Sequence, residues 1–340
     1  MTKPKVEVLV TVQVSEAQIN DLKSVSPRIR LSSFPVNQPD EIPGDVWKRA
    51  EILYTANIFP EPEQVPNLKW IQSHFAGIDH LLESRIANTN GIAITSLSGA
   101  AASQSAEYAL AMILALSRNM PRLAVLQQHR EWPSDRWLDY RPVEIRGSTV
   151  GLVGYGSVNR ELARLLKGFG ATILAAKRDA RHPKDGGYTP EGLGDPDGDL
   201  FDRLYPFQAL RPMLSLCDFV VIAVPLTSHT RKLIGAEEFL AMKSGSFLVN
   251  LSRGGIVDET ALLEALESKH LGGAALDVFD REPLPESNPL WKAPNVIITP
   301  HIAGISSHYT ERAVVMFKNN LTRYLENEPL LNLYDPERGY

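Results

Sequence analysis

The chain has 340 residues, 44% hydrophobic and 22% charged, with a formal net charge of -5. That length predicts about two domains with sizeable cores, and the acidic balance argues against a general nucleic-acid or anionic-membrane surface. A single cysteine, Cys217, excludes an internal disulfide framework and suits a reducing compartment.

In chain order, "MTKPKVEVLVTVQV" alternates apolar and polar residues and lacks a small-residue cleavage site. It reads as a strand, not a signal peptide. "VEVLVTV", "AEILYTA", "LKWIQS" and "GIAITS" are the clearest strands of the first part, and the proline-dense "SSFPVNQPDEIPGD" reads as loop and helix entry. This alternation predicts a small open α/β domain. "SQSAEYALAMILALSRNM" follows, with Ser103, Ser105 and Glu107 suited to a helix start. It is apolar nearly all round, which predicts a helix buried between two domains. Its apolar run is well short of the roughly 20 residues needed to span a bilayer, and a cytoplasmic protein is expected.

From Thr149 a second alternation begins, with strands "TVGLVG", "TILAAK", "DFVVIAV", "SFLVNLS", "GAALDVF" and "NVIITP". Helical patterns fall between most of them, and six strands with crossovers predict a doubly wound dinucleotide fold. Cys217, just before an apolar run, reads as a buried small hydrophobe. "DREPLPESNPLWKAP" is too proline-rich for a helix and reads as an extended loop. The stretch from Arg181 to Leu200 is polar, rich in Gly, Pro and Asp, and much longer than the usual connection of about 2–6 residues. It reads as a solvated loop, an active-site flap or a dimer contact. "RAVVMFKNNLTRYLENE" is a last amphipathic helix, expected to return to the first domain.

"GLVGYGSVNRELARLLKGFG" places Gly154, Tyr155, Gly156, Ser157 and Val158 between a strand and a helix. A tight turn at Gly154, a close backbone approach at Gly156 and the free N–H groups of the helix start suit a pyrophosphate. Asn159 stands where a third glycine would serve helix–strand packing, which strains packing and leaves the phosphate argument intact. At the end of the second strand, where a carboxylate would mark NAD, the chain reads Lys177 and Arg178, with Asp179 two places after Lys177. Cations there suit a 2′-phosphate and hence NADP(H).

Three further segments end strands with chemical groups: Arg253 in "VNLSRGGIVDE", Asp277 and Glu282 in "ALDVFDREPLP", and His301 in "ITPHIAG". In an open α/β sheet the carboxyl ends of strands line the ligand crevice, so these residues can converge. Arg offers a planar fork for a carboxylate or carbonyl oxygen, His exchanges a proton near neutral pH, and a Glu beside it favours the imidazolium and fixes the ring.

With "VPLTSHTRKLIG" these motifs resemble the D-isomer-specific 2-hydroxyacid dehydrogenase family over nearly the whole chain. The resemblance implies two open doubly wound domains with a cleft between: a Rossmann-type cofactor domain at 102–303 and a flavodoxin-like substrate domain at 1–101 plus 304–340. It implies a homodimer built on the cofactor domains. It gives catalytic roles to Arg253, Glu282 and His301, and the nicotinamide amide to Asp277. Val224, Pro225, Thr230, Leu251, Ser252 and Gly304 would line the cofactor. "HFAGID" makes Ala76 and Gly77, with Arg253, the candidates for the substrate. Lys177 and Arg178 resemble the NADP-preferring glyoxylate and hydroxypyruvate reductases. The expected activity is hydride transfer between NADP(H) and a small 2-oxo acid or D-2-hydroxy acid, with NAD(H) possible and no metal. An NAD-linked dehydrogenase, phosphoglycerate dehydrogenase-like, and a nucleotide-sensing dimeric scaffold resembling the family's corepressors are the alternatives.

Overall fold

In the computed structural model, which describes residues 4–340, each apolar run read as a strand lies in a parallel sheet. Residues 1–3, which belong to the first domain and first strand as read from the sequence, lie outside the described residues. The chain divides into two units: the part up to Ala101 with Ser306–Tyr340, and Ala102–Ile305.

Unit one holds β1 (Val6–Val10), β2 (Ile29–Ser33), β3 (Ile52–Thr55), β4 (Trp70–Ser73) and β5 (Ala93–Thr95), in the order β2-β1-β3-β4-β5. This is the flavodoxin-like order. β2, "IRLSS", is absent from the strands read from the sequence; it is an edge strand, and only Ile29 is fully buried. Leu9, Trp47, Leu53 and Ile71 form one core. Phe317, from the helix Tyr309–Glu326, stacks on Tyr54 and packs beside Trp70.

Unit two holds β6 (Thr149–Val153), β7 (Thr172–Lys177), β8 (Arg203–Pro206), β9 (Phe219–Ile222), β10 (Ser246–Asn250), β11 (Leu271–Leu276) and β12 (Val296–Ile298). Their order is β12-β11-β10-β9-β6-β7-β8, so the sheet has seven strands where the sequence suggested six. The additional strand, β8, is a short edge strand ending in proline. Side chains alternate across the sheet. Val150, Leu152, Phe219 and Val221 face one core; Val153, Val220 and Ile222 face the other. Cys217 is buried in the second core, and burial pushes its thiol up to about 12.

The helix Ala102–Ser117 buries a stripe of Ala106, Ala109, Ile113 and Leu116 on the first core and exposes Glu107 and Ala111, so it is not buried all round. Ser103 and Ser105 lie inside its first turn and do not cap it; they donate to Glu107 and to the Ala303 carbonyl. The proline-rich loop after β11 contains a short 3-10 turn, Pro289–Lys292, entered through Asn288. Among the described residues no single helix is long and apolar enough to cross a membrane.

Candidate active site

β6 and its neighbours β7 and β9 leave the centre of the unit-two sheet in opposite directions, and the glycine turn follows β6 at this switch point. Gly154 has φ +87, and a Cβ there would lie 2.5 Å from the Ala223 carbonyl oxygen and 2.5 Å from Val224 Cγ1. Only glycine fits. Around Gly156 a Cβ would meet no atom within 4 Å. Gly156 is the N-cap of the helix Ser157–Phe169, and no side chain caps that end. An open backbone approach at a helix N-terminus with uncapped N–H groups fits a dinucleotide pyrophosphate.

Asn159 is fully buried, and its Nδ2 donates to the carbonyls of Val153 (3.2 Å) and Gly154 (2.7 Å). Where a third glycine would permit close packing, Asn159 joins helix to strand by hydrogen bonds; its Oδ1 is left without a partner.

Lys177 ends β7 and donates to the carbonyls of His182 (2.7 Å) and Lys184 (3.2 Å). Arg178 is exposed. Asp179 accepts from the Arg181 N–H and meets His182 Nδ1 at 2.7 Å, and the His182 hydrogen bond holds its carboxyl below the usual range. The segment from Arg181 to Leu200 has no helix or strand and exposes about half of its residues, with Asp195 and Gly198 buried within it.

The other predicted residues follow β9 to β12 on the same sheet edge. Val224 is buried and Pro225 exposed; Thr230 Oγ1 donates to the Pro225 carbonyl at 2.6 Å, closing that turn. After β10 come Leu251, Ser252 and Arg253; Ser252 donates to Asn250 Oδ1 (2.6 Å), and Arg253 Nη1 to the Ser252 carbonyl (2.8 Å). Asp277 is buried after β11. It accepts from Thr299 Oγ1 (2.6 Å) and from the N–H groups of Ile302 and Ala303 (both 2.8 Å). Its carboxylate thus holds the loop that carries His301. Gly304 accepts from Gln104 at 3.0 Å.

His301 has φ +54, a left-handed conformation costing a non-glycine residue about 1–2 kcal/mol. The Asp277 contacts, and the His301 N–H bond to the Asp277 carbonyl (2.9 Å), hold it there. Its Nδ1 lies 2.7 Å from Glu282 Oε2, and Glu282 Oε1 accepts from the Phe279 N–H at 3.0 Å. A carboxylate only accepts, so Nδ1 carries the hydrogen and Nε2 is left for a substrate. Tyr108, which sequence reasoning missed, meets Thr299 Oγ1 at 2.6 Å and extends the Asp277 network; burial pushes its hydroxyl up to about 12.

In unit one, "HFAGID" follows β4. Ala76 is exposed and Gly77 half-buried. Beside them His74 is fixed by Tyr54 Oη at Nδ1 (2.6 Å) and by Tyr309, whose hydroxyl donates to the His74 carbonyl (2.6 Å). Burial pushes the His74 imidazole down to about 4. In the unfolded chain its pKa returns to about 6.5, so between these values only the unfolded chain binds the proton and stability falls with falling pH. Urea unfolding should show this group removing about 2–3 kcal/mol between pH 7 and pH 4.5. His74→Gln should lose less stability than the wild type over that interval; parallel losses in the two proteins would show that His74 is not the group responsible.

The description "D-isomer specific 2-hydroxyacid dehydrogenase, NAD binding domain" matches residues 110–303. The chain belongs to the D-isomer specific 2-hydroxyacid dehydrogenase family. It is 33% identical over 290 residues to a putative 2-hydroxyacid dehydrogenase of Haemophilus influenzae, covering 82% of this chain and 85% of that one. It is 33% identical to a glyoxylate reductase of Thermofilum pendens, covering 78% and 74%. A D-isomer specific 2-hydroxyacid dehydrogenase from Xanthobacter autotrophicus Py2, solved with NADPH and MES, has a TM-score of 0.78 at 26% identity and covers 99% of this chain and 100% of that one. As a 2-hydroxyacid dehydrogenase the chain is an NAD(P)-dependent oxidoreductase with a two-domain fold.

Proposed function

We propose that this chain is a cytoplasmic, NADP(H)-linked reductase of small 2-oxo acids such as glyoxylate or hydroxypyruvate, reversible toward the D-2-hydroxy acid. The observation that carries the reading is the His301–Glu282 pair at 2.7 Å, held by a buried Asp277 on the sheet edge that bears the glycine turn. When bound, the dinucleotide supplies the hydride. His301 Nε2 gives the carbonyl oxygen its proton, and Glu282 holds the ring through Nδ1. The Arg253 fork binds the 2-oxo acid, with the backbone N–H groups of Ala76 and Gly77 as further anchors for its carboxylate. Gly154, Tyr155, Gly156, Ser157 and Val158 hold the pyrophosphate. Val224, Pro225, Thr230, Leu251, Ser252 and Gly304 line the cofactor, and Asp277 orients its carboxamide.

The same reading makes the protein a homodimer. Support comes from the segment after the helix Ala102–Ser117, where Trp132 (84%), Trp137 (75%) and Leu138 (71%) stand exposed around Arg136, which lies over both tryptophan rings, and exposed large apolar side chains grouped in this way favour an interaction site. The test of function is turnover of a 2-oxo acid panel with NADPH, followed by chiral analysis of the product. At least one small 2-oxo acid should be reduced to its D-hydroxy acid. Failure with every member, using either nicotinamide cofactor, would refute the reading.

A further inference from the structure

We propose that Arg160 is a positioning residue for the cofactor's pyrophosphate: it fixes the peptide between Tyr155 and Gly156 and fastens the segment from Arg181 to Leu200 onto the glycine turn, making that segment part of the dinucleotide-binding apparatus. The proposal rests on a dinucleotide occupying the turn, not on which dinucleotide.

Arg160 is 1% exposed, on a helix whose other cations face solvent. A buried guanidinium is tolerated only where its donors are met. Here Nε donates to the Tyr155 carbonyl at 3.1 Å, Nη1 to the Asp195 carbonyl and Nη2 to the Pro183 carbonyl. The Asp185 carboxylate lies 3.3 Å from Nε, and the guanidinium sits 4.6 Å from the centre of the Tyr155 ring. One side chain therefore holds the turn and both ends of the inserted segment.

The segment returns the contact. Tyr155 donates its hydroxyl to Asp195 Oδ2 at 2.5 Å. Asp195 also accepts from the N–H groups of Gly198, Asp199 and Leu200. Although burial opposes it, these hydrogen bonds, the Tyr155 one foremost, hold the Asp195 carboxyl below its usual range. Gly198 lies so close to Pro183 that a Cβ would meet the Pro183 carbonyl oxygen at 2.5 Å. Glu161, next to Arg160, accepts from the Gly194 N–H at 2.7 Å. Lys177 closes the near end through the carbonyls of His182 and Lys184.

The consequence for the turn follows from peptide geometry. In a trans peptide the C=O and the following N–H point in opposite directions. Asn159 holds the Gly154 carbonyl and Arg160 the Tyr155 carbonyl, both toward the helix. The N–H groups of Tyr155 and Gly156 are thereby turned the other way, preset for an anion before it binds. Presetting donors spares a ligand the cost of ordering them.

The experiment measures binding of ADP-ribose, which carries the pyrophosphate without the nicotinamide, by calorimetry well below the thermal midpoint of each variant. Arg160→Met should weaken ADP-ribose about tenfold and weaken NADH and NADPH by equal factors, with the loss appearing in cofactor KM and not in kcat. Arg160→Lys, which keeps charge but not the fork, should resemble Arg160→Met. Trypsin should cut first at Arg181 or Lys184 in Arg160→Met, and ADP-ribose should slow that cut in the wild type. Should Arg160→Met not fold, Tyr155→Phe, which removes only the tether to Asp195, should still weaken ADP-ribose several-fold. ADP-ribose affinity within twofold of wild type in a folded Arg160→Met or Tyr155→Phe would overturn the proposal, since a merely structural Arg160 would lower the thermal midpoint alone. Because binding is read without turnover, this outcome is separate from the reductase test.

Discussion

His301→Asn should lower kcat for 2-oxo acid reduction by about 10²–10⁴, the usual worth of a positioned acid or base. Asparagine is the replacement the site permits. His301 sits at φ +54, and Asn is among the few non-glycine residues that enter that region readily. Its amide can still donate toward Glu282, which lies 2.7 Å from Nδ1 in the parent. What it cannot do is present a proton at the Nε2 position. Cofactor affinity, measured by quenching of protein fluorescence, should stay near that of the wild type, because the glycine turn follows a different strand. Near-normal kcat at saturating glyoxylate or hydroxypyruvate would remove His301 from proton transfer.

The positions of His301, Glu282 and Arg253 were legible for a specific reason. In a parallel sheet every strand ends on the same edge, so a polar residue just past an apolar run is placed by topology alone. β10, β11 and β12 are strongly apolar runs, and their ends could be read directly. β2 and β8 carry no such signal: "IRLSS" and "RLYP" mix polar and charged residues among the apolar ones, and β8 closes with Pro206.

Contacts between distant segments were not legible either. Arg160 looks like a surface cation on a helix, and only the folded segment after β7 reveals why it is buried. The composition of that segment, full of Gly, Pro and Asp, signals loop, and nothing local shows that Asp195 meets Tyr155. Asn159 offered one available clue. A polar side chain at a packing position must find partners when buried, and the two carbonyls it meets belong to Val153 at the end of β6 and Gly154 in the turn.

NADPH should be preferred over NADH by roughly 10–100-fold in kcat/KM. One hydrogen bond from a cation to the 2′-phosphate contributes about 1.5–3 kcal/mol, and about 1.4 kcal/mol is a factor of ten. Two groups at the end of β7 can supply it, and their chemistry separates them. Lys177 spends hydrogens on the carbonyls of His182 and Lys184, so its part is mainly charge. Arg178 is exposed at the next position and brings the planar fork that suits phosphate. The competing acceptor for an unphosphorylated ribose is Asp179, whose two oxygens are taken by the Arg181 N–H and by His182. Arg178→Ala should therefore lower kcat/KM for NADPH and leave NADH nearly untouched, a pattern unlike the equal loss expected on breaking the Arg160 contacts. Raising salt from about 0.05 to 0.5 M should erode the wild-type preference, because an exposed cation is screened over a distance of a few ångström. The measurement is kcat/KM for both cofactors with one good 2-oxo acid, in both proteins and at both salt concentrations. A wild type that prefers NADH would show that Asp179 or a backbone group, released from its present partners, takes the ribose 2′-hydroxyl instead.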